Sequence, residues 1–499
     1  MATLGIEMND ADFRTALGTQ DNAQLLAIPD AGGAIDWPGY AYFDGQKFHF
    51  GRTAEEAWFV HPRQVTHTFW KRLAHEPSPL GPPRKPAPFS ELAFHFLREF
   101  TGRIAATSAQ PDKVVLAVPG SYLKDPATEE EKVGLLLGMA EELKLPLAGV
   151  IDMACAALCD SRGPGFNHLL PVVVIDLQLD GADLTLLTID ERLERKDYIH
   201  LPHFGYAHLL KHFTAAMGNR FLRQTAFDIL EDGRIEQTFF RQTKDFFLGD
   251  ATENRFQINT SARTYEMLAK REQLVSDAQQ FVQGLIQGLQ TFIQDSAYGA
   301  DSCTIALTER TARLPGFDAR LRTAGFSRII RLPAGAAACG AARLGEKHLS
   351  GSSHLADVPV ESTVPAHFAR KVAAATWEVR LQKPRSPGSR LTPTHAIMEG
   401  IGHAIGAGGR FTIAAATTGA DLTLPEAFNN QDDCSVPLAR EGDRWWFIED
   451  ENGRHGGGTT PASATRTPVE AGDRLTIRCG AVSAEILFAH CTATNGARS

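Results

Sequence analysis

One segment constrains the fold of this chain more than any other: residues 172–190, which read VVVIDLQLDGADLTLLTID. Its β-branched run Val172–Ile175 is typical of a buried strand. Asp176 ends that strand, Asp180-Gly181 predicts a tight turn, and an apolar run then predicts a returning strand. An Asp at the mouth of such a hairpin can hold a metal-bound phosphate if the turn is rich in glycine. Here the turn reads Gln178-Leu179-Asp180-Gly181. The hairpin is therefore predicted, but its turn is not rich enough in glycine to bind a phosphate in this way.

A second hairpin of the same kind is predicted near the N-terminus. Residues 4–8 form a short strand, residues 9–12 (NDAD) a turn and residues 13–17 a returning strand. Two hairpins of one shape indicate an internal duplication of a hairpin-led α/β unit. Strands and helices alternate through residue 190, which favours the α/β class.

The rest of the chain predicts further elements of both kinds. A cap at Asp125 followed by Pro126 predicts the start of a helix, and residues 205–300 are expected to be mostly helical, with one long helix over 274–292. The remaining expected elements are a helix at 90–100, strands at 114–118, 150–153, 304–307 and 329–332, and a helix at 333–344.

Length predicts more than one domain, since 499 residues exceed what one hydrophobic core serves. The composition changes after residue 345, where the sequence becomes rich in glycine, serine and proline. We therefore expect a first domain over 1–345 and a linker over 346–394, with a short strand at 376–381. Short strands between glycine-rich turns predict an all-β sandwich over 395–499.

Charge and cysteine usage exclude several classes of function. The formal net charge of −9 argues against a nucleic-acid partner and against an anionic membrane. The seven cysteines are scattered without a CxxC pair or a zinc spacing, which predicts reduced thiols, no metal site and a cytoplasmic protein. No apolar run reaches the ~18 residues of a membrane span, and no secretory leader is expected.

Several segments in order resemble one family. Residues 1–345 are similar to the actin-like ATPase domain of the seventy-kilodalton heat-shock chaperones, in which two duplicated lobes enclose a central cleft. The segments that carry the resemblance are the first hairpin at 4–13, GRTAEEAWFVHPRQVTHTFWKRL at 51–73, VVLAVPGSYLKD at 114–125, GVIDMACAALCD at 149–160, the second hairpin, ALTERTARLPGF at 306–317 and AAACGAARLG at 336–345.

The resemblance assigns candidate site residues. Lys71 matches the catalytic lysine of the family, and Asp176 matches a ligand of the metal or of water. Both also have plain alternatives, because Lys71 can be a surface lysine and Asp176 a carboxylate that caps a strand end. Residues at the positions that would contact ATP are Asn9, Asp10, Ala11, Gln178, Asp180, Gly181 and Arg310.

The departures from the family pattern concern glycine. Phosphate loops use bare backbone N–H groups, which glycine lets approach the ligand. The first loop instead reads Glu7-Met8-Asn9-Asp10-Ala11, the second reads Gln178-Leu179-Asp180, and Glu309-Arg310 replaces the glycine pair of the adenosine segment. A carboxylate at about 4 Å from a phosphate charge costs on the order of 4 kcal/mol at an effective dielectric of about 20. The sequence therefore predicts a degenerate nucleotide site without a cofactor; in the alternative, ATP binds in another pose, with Asp10 and Asp176 holding Mg²⁺.

Residues 411–488 resemble a forkhead-associated (FHA) domain, a family that reads phosphothreonine. The family's Ile-Gly-Arg turn reads Ile413-Ala414-Ala415 here, and its Ser-x-x-His pair reads Asp432-Asp433-Cys434-Ser435. Without that arginine a phosphate lacks its charged donor, unless Arg410 or Arg440 replaces it. A phosphopeptide partner is therefore not expected.

Two functional hypotheses remain at this stage. In the first, the chain is a chaperone-like pseudo-ATPase that binds another protein as an interaction or scaffold module. In the second, it is a chaperone-like enzyme that binds and hydrolyses ATP with divergent phosphate loops. The C-terminal part resembles neither the substrate-binding β domain nor the helical lid of those chaperones, so refolding of peptides by the usual cycle is not expected.

Overall fold

The structure is a computed structural model, and the described residues form two compact units. Those up to residue 365 belong to the first unit and those from 377 onward to the second. The described residues are 2–19, 22–28, 34–82, 85–106, 111–160, 170–189, 192–296, 298–299, 302–347, 349, 357–365, 377–383, 391–398, 401–405, 410–414, 421–424, 435–449, 465–479 and 482–490.

The first unit mixes strands and helices, which confirms the predicted α/β class. Its strands are β1 (Ala2–Glu7), β2 (Arg14–Thr19), β3 (Asn22–Leu25), β4 (Ala41–Phe43), β5 (Phe48–Phe50), β6 (Val65–Thr66), β7 (Lys113–Val118), β8 (Leu147–Asp152), β9 (Val172–Leu177), β10 (Gly181–Ile189), β11 (Arg192–Pro202), β12 (Glu253–Asn259), β13 (Thr264–Lys270), β14 (Thr304–Leu307), β15 (Ile329–Arg331), β16 (Val360–Glu361) and β17 (Thr363–Pro365).

The helices of this unit vary from a single turn to about five turns. They are α1 (Arg52–Glu56), α2 (Phe89–Ala105), α3 (Pro126–Glu142), α4 (Met153–Asp160), α5 (Tyr206–Thr225), α6 (Gly233–Leu248), α7 (Arg271–Asp277), α8 (Gln279–Asp295), α9 (Glu309–Ala312), α10 (Phe317–Thr323) and α11 (Ala336–Lys347). None of the helices in the described part of the chain combines the length and the apolar character that a membrane span requires.

Two six-stranded sheets organise the first unit and repeat one topology. Their strand orders are β16-β8-β7-β1-β2-β3 and β15-β14-β9-β10-β11-β17. In each sheet a central strand, β1 or β9, pairs antiparallel with the next strand along the chain and parallel with a later one. The core order of five strands is therefore the same twice, and the hairpins β1–β2 and β9–β10 occupy corresponding places.

The central strands and the main helices form where the sequence patterns predict them. β9 is buried along its whole length, as its β-branched residues indicate. Helix α2 buries Leu92, Phe96 and Phe100, which recur at helical spacing. Helix α3 starts at Pro126, and the Asp125 side chain accepts a hydrogen bond from the Thr128 N–H at 2.8 Å. These local features position the two hairpins against their own apolar cores.

Three features of the first unit differ from the predictions. The long helix expected over 274–292 is interrupted at Ala278, where α7 ends and α8 begins. The mostly helical stretch 205–300 also contains the hairpin β12–β13, because alternate residues such as Phe256 and Met267 point into the core. The last helix begins at Ala336 rather than at residue 333, after Gly335 with a φ of 63°.

The first unit also continues past the predicted boundary at residue 345. Strand β16 pairs with β8, and β17 pairs with β11, so residues 360–365 add one strand to each sheet. The predicted linker 346–394 therefore contributes ordered strands to the first unit, and its later part begins the second. Residues 360–365 form strands because they pair with the distant strands β8 and β11. No local sequence pattern in 346–365 predicts these two strands.

The second unit contains strands in two five-stranded sheets. They are β18 (Trp377–Gln382), β19 (His395–Met398), β20 (Ile401–Ala404), β21 (Arg410–Ala414), β22 (Leu422–Thr423), β23 (Ser435–Glu441), β24 (Arg444–Glu449), β25 (Thr465–Val469), β26 (Arg474–Cys479) and β27 (Val482–Ala489). The sheet orders are β18-β26-β27-β19-β20 and β22-β21-β23-β24-β25. Both sheets contribute to one apolar core, with Phe411 and Phe447 from one and Ile477 and Phe488 from the other. The predicted short strand at 376–381 is β18, which pairs with β26.

Candidate functional site

The turns of the two repeated hairpins contact each other directly. Asn9, in the turn after β1, donates from Nδ2 to Asp176 Oδ2 at 2.7 Å and to the Leu177 carbonyl at 3.1 Å. Its Oδ1 accepts the N–H of Ala11 at 2.9 Å, which fixes the conformation of its own turn. Asn9 is fully buried. One amide side chain therefore shapes the first turn and links it to the second hairpin.

Asp10 makes the second direct link between the turns. Its Oδ1 accepts the N–H of Leu179 at 2.7 Å, and the side chain is buried. Burial raises the pKa of Asp10 to about 7, although the bond from Leu179 lowers it, and the nearby Asp180 raises it further. A large fraction of Asp10 is therefore protonated at neutral pH.

An arginine from the short helix α9 makes the third link. Arg310, which is 4% exposed, donates from Nε to Asp12 Oδ2 at 3.1 Å and from a terminal nitrogen to the Leu177 carbonyl at 2.9 Å. Burial raises the pKa of Asp12, but the Arg310 and Arg14 guanidinium groups outweigh burial and hold that pKa below its usual value. Arg14 also pairs with Glu309 at 2.8 Å. The two arginines therefore neutralise the carboxylates of Asp12 and Glu309.

Asp176 lies at the strand end where the sequence predicts it. Strand β9 ends one residue after Asp176, at Leu177. At this strand end the Asp176 carboxylate accepts a hydrogen bond from Asn9. Burial raises the pKa of Asp176 to about 7, with Arg310 acting in the opposite direction and Glu7 adding to the rise. Asp176 Oδ2 accepts the hydrogen bond of the Asn9 side-chain amide.

The second turn is held by its own hairpin and by the start of α5, where the Tyr206 N–H donates to the Gln178 carbonyl at 2.7 Å. The N–H of Gln178 donates to the Gly181 carbonyl at 2.8 Å, and Gln178 Nε2 donates to Asp183 at 2.6 Å. Asp183 also accepts from the Tyr198 hydroxyl at 2.8 Å. A Cβ at Gly181 would lie 2.3 Å from the His200 ring, so packing against β11 accounts for this glycine.

Lys71 and Asp180 lie at the rim of this region. Asp180 is 3.3 Å from His67 Nε2 and 3.7 Å from Lys71 Nζ, and the Lys71 side chain is 40% exposed. Burial raises the pKa of Asp180, but the hydrogen bond from His67 and the charges of His67 and Lys71 bring it below its usual value. Lys71 therefore neutralises the acidic residue of the second turn from outside.

All the residues predicted from the sequence gather around the two turns. They are Asn9, Asp10, Ala11, Lys71, Asp176, Gln178, Asp180, Gly181 and Arg310. The sequence reasoning missed Asp12, Arg14 and Asp183, which complete the hydrogen bonds and charges of the site. A signal existed for Asp183, because a single acidic residue interrupts the apolar strand β10 and is almost fully buried there.

Two spaces of different size lie in the first unit, and the first of them is lined by residues of the linked hairpins. The first lies beside Glu7, Arg14, Asp176 and Asp183 and measures about 30 Å³, room for one or two water molecules. The second measures about 420 Å³ and lies between α1 and α6, where Lys244 pairs with Glu55 at 2.6 Å.

The chemistry available at this site is limited by these pairings. Among the residues that the structure describes, no group of three or more His, Cys, Asp or Glu side chains is arranged to hold a metal ion. Asp152, the last residue of β8, pairs with Arg195 at 3.0 Å and caps α4 through the Ala154 N–H at 2.9 Å. No protein-family model matches the chain, and no curated protein sequence matches it.

Proposed function

We propose that this protein is a chaperone-like pseudo-ATPase that works as a protein-interaction or scaffold module without nucleotide. In this proposal the first unit has the architecture of an actin-like ATPase, and its two phosphate hairpins bind each other in place of a triphosphate. The duplicated sheet topology supports the architectural part. The direct hydrogen bonds between the two turns carry the functional part.

The backbone N–H groups that a phosphate would need already donate hydrogen bonds within the protein. The N–H of Leu179 already donates to Asp10, that of Ala11 to Asn9, and that of Gln178 to Gly181. Entry of a phosphate would break such bonds, each worth about 0.5–1.5 kcal/mol net and more where a charged partner is left buried. These donors are therefore engaged in a closed protein network.

Charge supports the same proposal. A triphosphate at the turns would approach Asp10, Asp12 and Asp176, all of which are buried. Arg310 is a cation that contacts both hairpins, but Asp12 and the Leu177 carbonyl already occupy its guanidinium. An anion placed here would compete with the ionised Asp12 for this arginine and would meet further negative charge on the ionised fractions of Asp10 and Asp176, which is unfavourable at short distance.

The second candidate function, ATP binding in an altered pose, has one observation in its favour. The space of about 420 Å³ between α1 and α6 is large enough for a nucleoside. Lys244 and Arg52 line it, and a phosphate would compete for them with Glu55, which pairs with Lys244 at 2.6 Å, and with Asp36, which pairs with Arg52 at 3.0 Å. In this alternative Asp10 and Asp176 would hold Mg²⁺ near the phosphates.

For the second unit we propose a protein-binding or packing role that does not read phosphate. Arg440, one of the two arginines that could replace the missing phosphate ligand, donates to the Gly442 carbonyl at 3.1 Å and lies 3.7 Å from Asp443. It is therefore engaged within its own hairpin turn. The FHA-like character of this unit remains a resemblance in sequence.

Thermal unfolding of the full chain with Mg-ATP separates the two candidates. A ligand at about 100 times its Kd stabilises the folded state by ~2.7 kcal/mol, which is a shift of a few degrees for a unit of this size. We expect no shift at millimolar Mg-ATP and no phosphate release. Mg²⁺ alone and a non-hydrolysable ATP analogue serve as controls.

A saturable shift with Mg-ATP would contradict the pseudo-ATPase proposal. The decisive comparison is then with the variants Asp176→Asn and Lys71→Ala. If both variants abolish the shift, the nucleotide binds at the hairpin turns, and the enzyme hypothesis replaces this one. If neither changes it, binding is elsewhere on the molecule and the linked turns stay empty of nucleotide.

A further inference from the structure

We infer that the groove between α2 and α3 is a docking site for a basic amphipathic helix of a partner protein. This inference rests on the proposed function, because it specifies where and with what chemistry the interaction module would bind. The groove measures about 790 Å³ and lies outside the linked turns. It is lined by one face of α3 and by residues at the start of α2.

The floor of the groove is apolar and lies on the core of the first sheet. Phe94 on α2 and Leu135 on α3 are partly buried hydrophobic residues packed against that core, and Met139 is buried below them. Two exposed glycines, Gly134 and Gly138, lie one helical turn apart on the same face of α3. A Cβ at either glycine would meet no atom within 4 Å, so the space above them is open to an incoming backbone.

The rim of the groove is acidic. Glu130, Glu131 and Glu142 on α3 line it together with Glu91 at the start of α2. Among the described residues, none of the three glutamates on α3 has a cationic side chain within 4 Å. Glu91 is 3.7 Å from His95 Nε2. Negative charge therefore surrounds an apolar floor on both sides.

The one lysine of α3 interacts electrostatically with Glu131, but among the described residues it forms no ion pair within 4 Å with any of the three α3 glutamates of the rim. Lys132 donates from Nζ to the Lys71 carbonyl at 2.8 Å and lies 4.7 Å from the centre of the Tyr122 ring. Arg98 lies on the α2 side, with its guanidinium 5.8 Å from the centre of the Phe94 ring, and Arg72 lies 4.5 Å from the centre of the Phe89 ring at the start of α2. Glu130 and Glu142, which form no ion pair within 4 Å among the described residues, are therefore available to an external cation.

These features together specify the partner. Apolar residues of an incoming helix would cover Phe94 and Leu135, and its backbone would approach α3 at the two glycines. Lysine or arginine residues on its flanks would lie against the glutamates, which steers association and fixes orientation. An amphipathic helix in an apolar groove is a common mode of peptide recognition. A groove with an acidic rim excludes an acidic segment by the same electrostatics.

The test uses the full chain and a synthetic helical peptide of about 18 residues, with leucines at i, i+3, i+4 and i+7 and lysines on both flanks. Fluorescence anisotropy measures its Kd, and a second peptide carries glutamates in place of the lysines. We expect the lysine peptide to bind and the glutamate peptide not to bind. Binding should weaken as NaCl rises from about 50 to about 300 mM, because salt screens the flanking charges.

Two substitutions separate the groove from general attraction to a negatively charged protein. Gly138→Phe fills the groove while leaving every charge in place, and we expect at least about tenfold weaker binding. The triple variant Glu130→Lys, Glu131→Lys, Glu142→Lys should weaken binding as much. Gly102→Phe is the matched control on α2, since Gly102 is also a helical glycine with open space around it and lies outside this groove. Circular dichroism verifies that each variant is folded.

Several outcomes would overturn the inference. Equal binding to the wild type and Gly138→Phe would mean that the peptide follows net charge alone. If the lysine peptide does not bind, a basic amphipathic helix is not the partner of this groove. Self-association of the chain that Gly138→Phe abolishes would make the groove an interface between copies. None of these readouts uses ATP. A failure of the docking inference appears in peptide binding, whereas a failure of the proposed function appears as a saturable thermal shift with Mg-ATP, so the two are distinguishable.

Discussion

The two hairpin turns occupy corresponding places in two sheets of one topology, yet they contribute different chemical groups to their contact. The first turn supplies side chains, namely Asn9, Asp10 and Asp12. The second supplies mainly backbone, the Leu177 carbonyl and the Leu179 N–H. Of the backbone N–H groups in the second hairpin that could bind an anion, that of Leu179 is paired with a side chain of the first hairpin, and that of Gln178 is paired within its own hairpin. The two corresponding hairpins are therefore linked by their own polar groups, although the buried Arg14 Nε beside them has no hydrogen-bond partner in the described part of the chain.

The largest expected effect comes from removing the buried cation that neutralises the first turn. Arg310→Ala leaves Asp12 buried with less compensation and leaves the Leu177 carbonyl with the Asn9 amide as its donor, so we expect a loss of about 3–5 kcal/mol in the free energy of unfolding. Urea denaturation of the full chain measures it. Arg331→Ala is the control, because Arg331 is mostly exposed in its pair with Asp318 and should cost at most ~1 kcal/mol. Similar losses for the two variants would mean that the turns are not held by this cation.

Asn9→Ala tests the side-chain link itself. The variant removes two hydrogen bonds to the second hairpin and one within its own turn, for a loss of about 1–3 kcal/mol. Amide hydrogen exchange should become faster at Leu177 and Leu179, across the contact from the substitution. Asp228→Ala, which removes a local exposed cap on Leu230, should leave exchange at those two amides unchanged. Unchanged exchange in Asn9→Ala would contradict the link.

Asp10→Asn tests the protonation of the contact. Burial raises the pKa of Asp10 to about 7 in the folded protein, whereas the unfolded chain titrates near ~3.9. Between these values the folded state holds the extra proton, so this residue makes the wild type less stable as pH rises from about 4 to about 7, and constant above.

The variant keeps an oxygen for the Leu179 N–H but does not titrate. Its free energy of unfolding relative to the wild type should therefore rise by roughly 4 kcal/mol across that window, because the two pKa values differ by about 3 and each pKa unit corresponds to ~1.36 kcal/mol. Urea denaturation at several pH values measures this rise. Asp176→Asn should change in the same direction, because burial also raises the pKa of Asp176 to about 7. A difference that does not vary with pH would show that Asp10 is charged throughout.

The smallest effect is expected at the rim of the second turn. Lys71→Ala removes a partly exposed partner of Asp180 at 3.7 Å, which should cost less than about 1 kcal/mol and less still at high salt. Thermal unfolding at two salt concentrations measures this. A larger loss would show that the second turn depends on side chains as much as the first does.

Local patterns in the sequence predicted much of the architecture. The β-branched run of β9, the helical spacing of α2 and the cap at Asp125 each encode their element through nearby residues. The hairpin β12–β13 was missed because its alternation lies inside a region whose composition favours helix. The extension of the first unit to residue 365 was missed because the short strands β16 and β17 exist only as partners of distant strands.

By itself, the sequence determined that two similar hairpins exist and that their turns lack the glycines of a phosphate loop. Tertiary structure alone decided what those turns do instead. Asn9 meets Asp176 across 167 residues of sequence, and Arg310 meets Asp12 across 298. Contacts at such separations depend on the sheet topology that brings the turns together, so buried polar groups pair between the two turns in ways that no local pattern specifies.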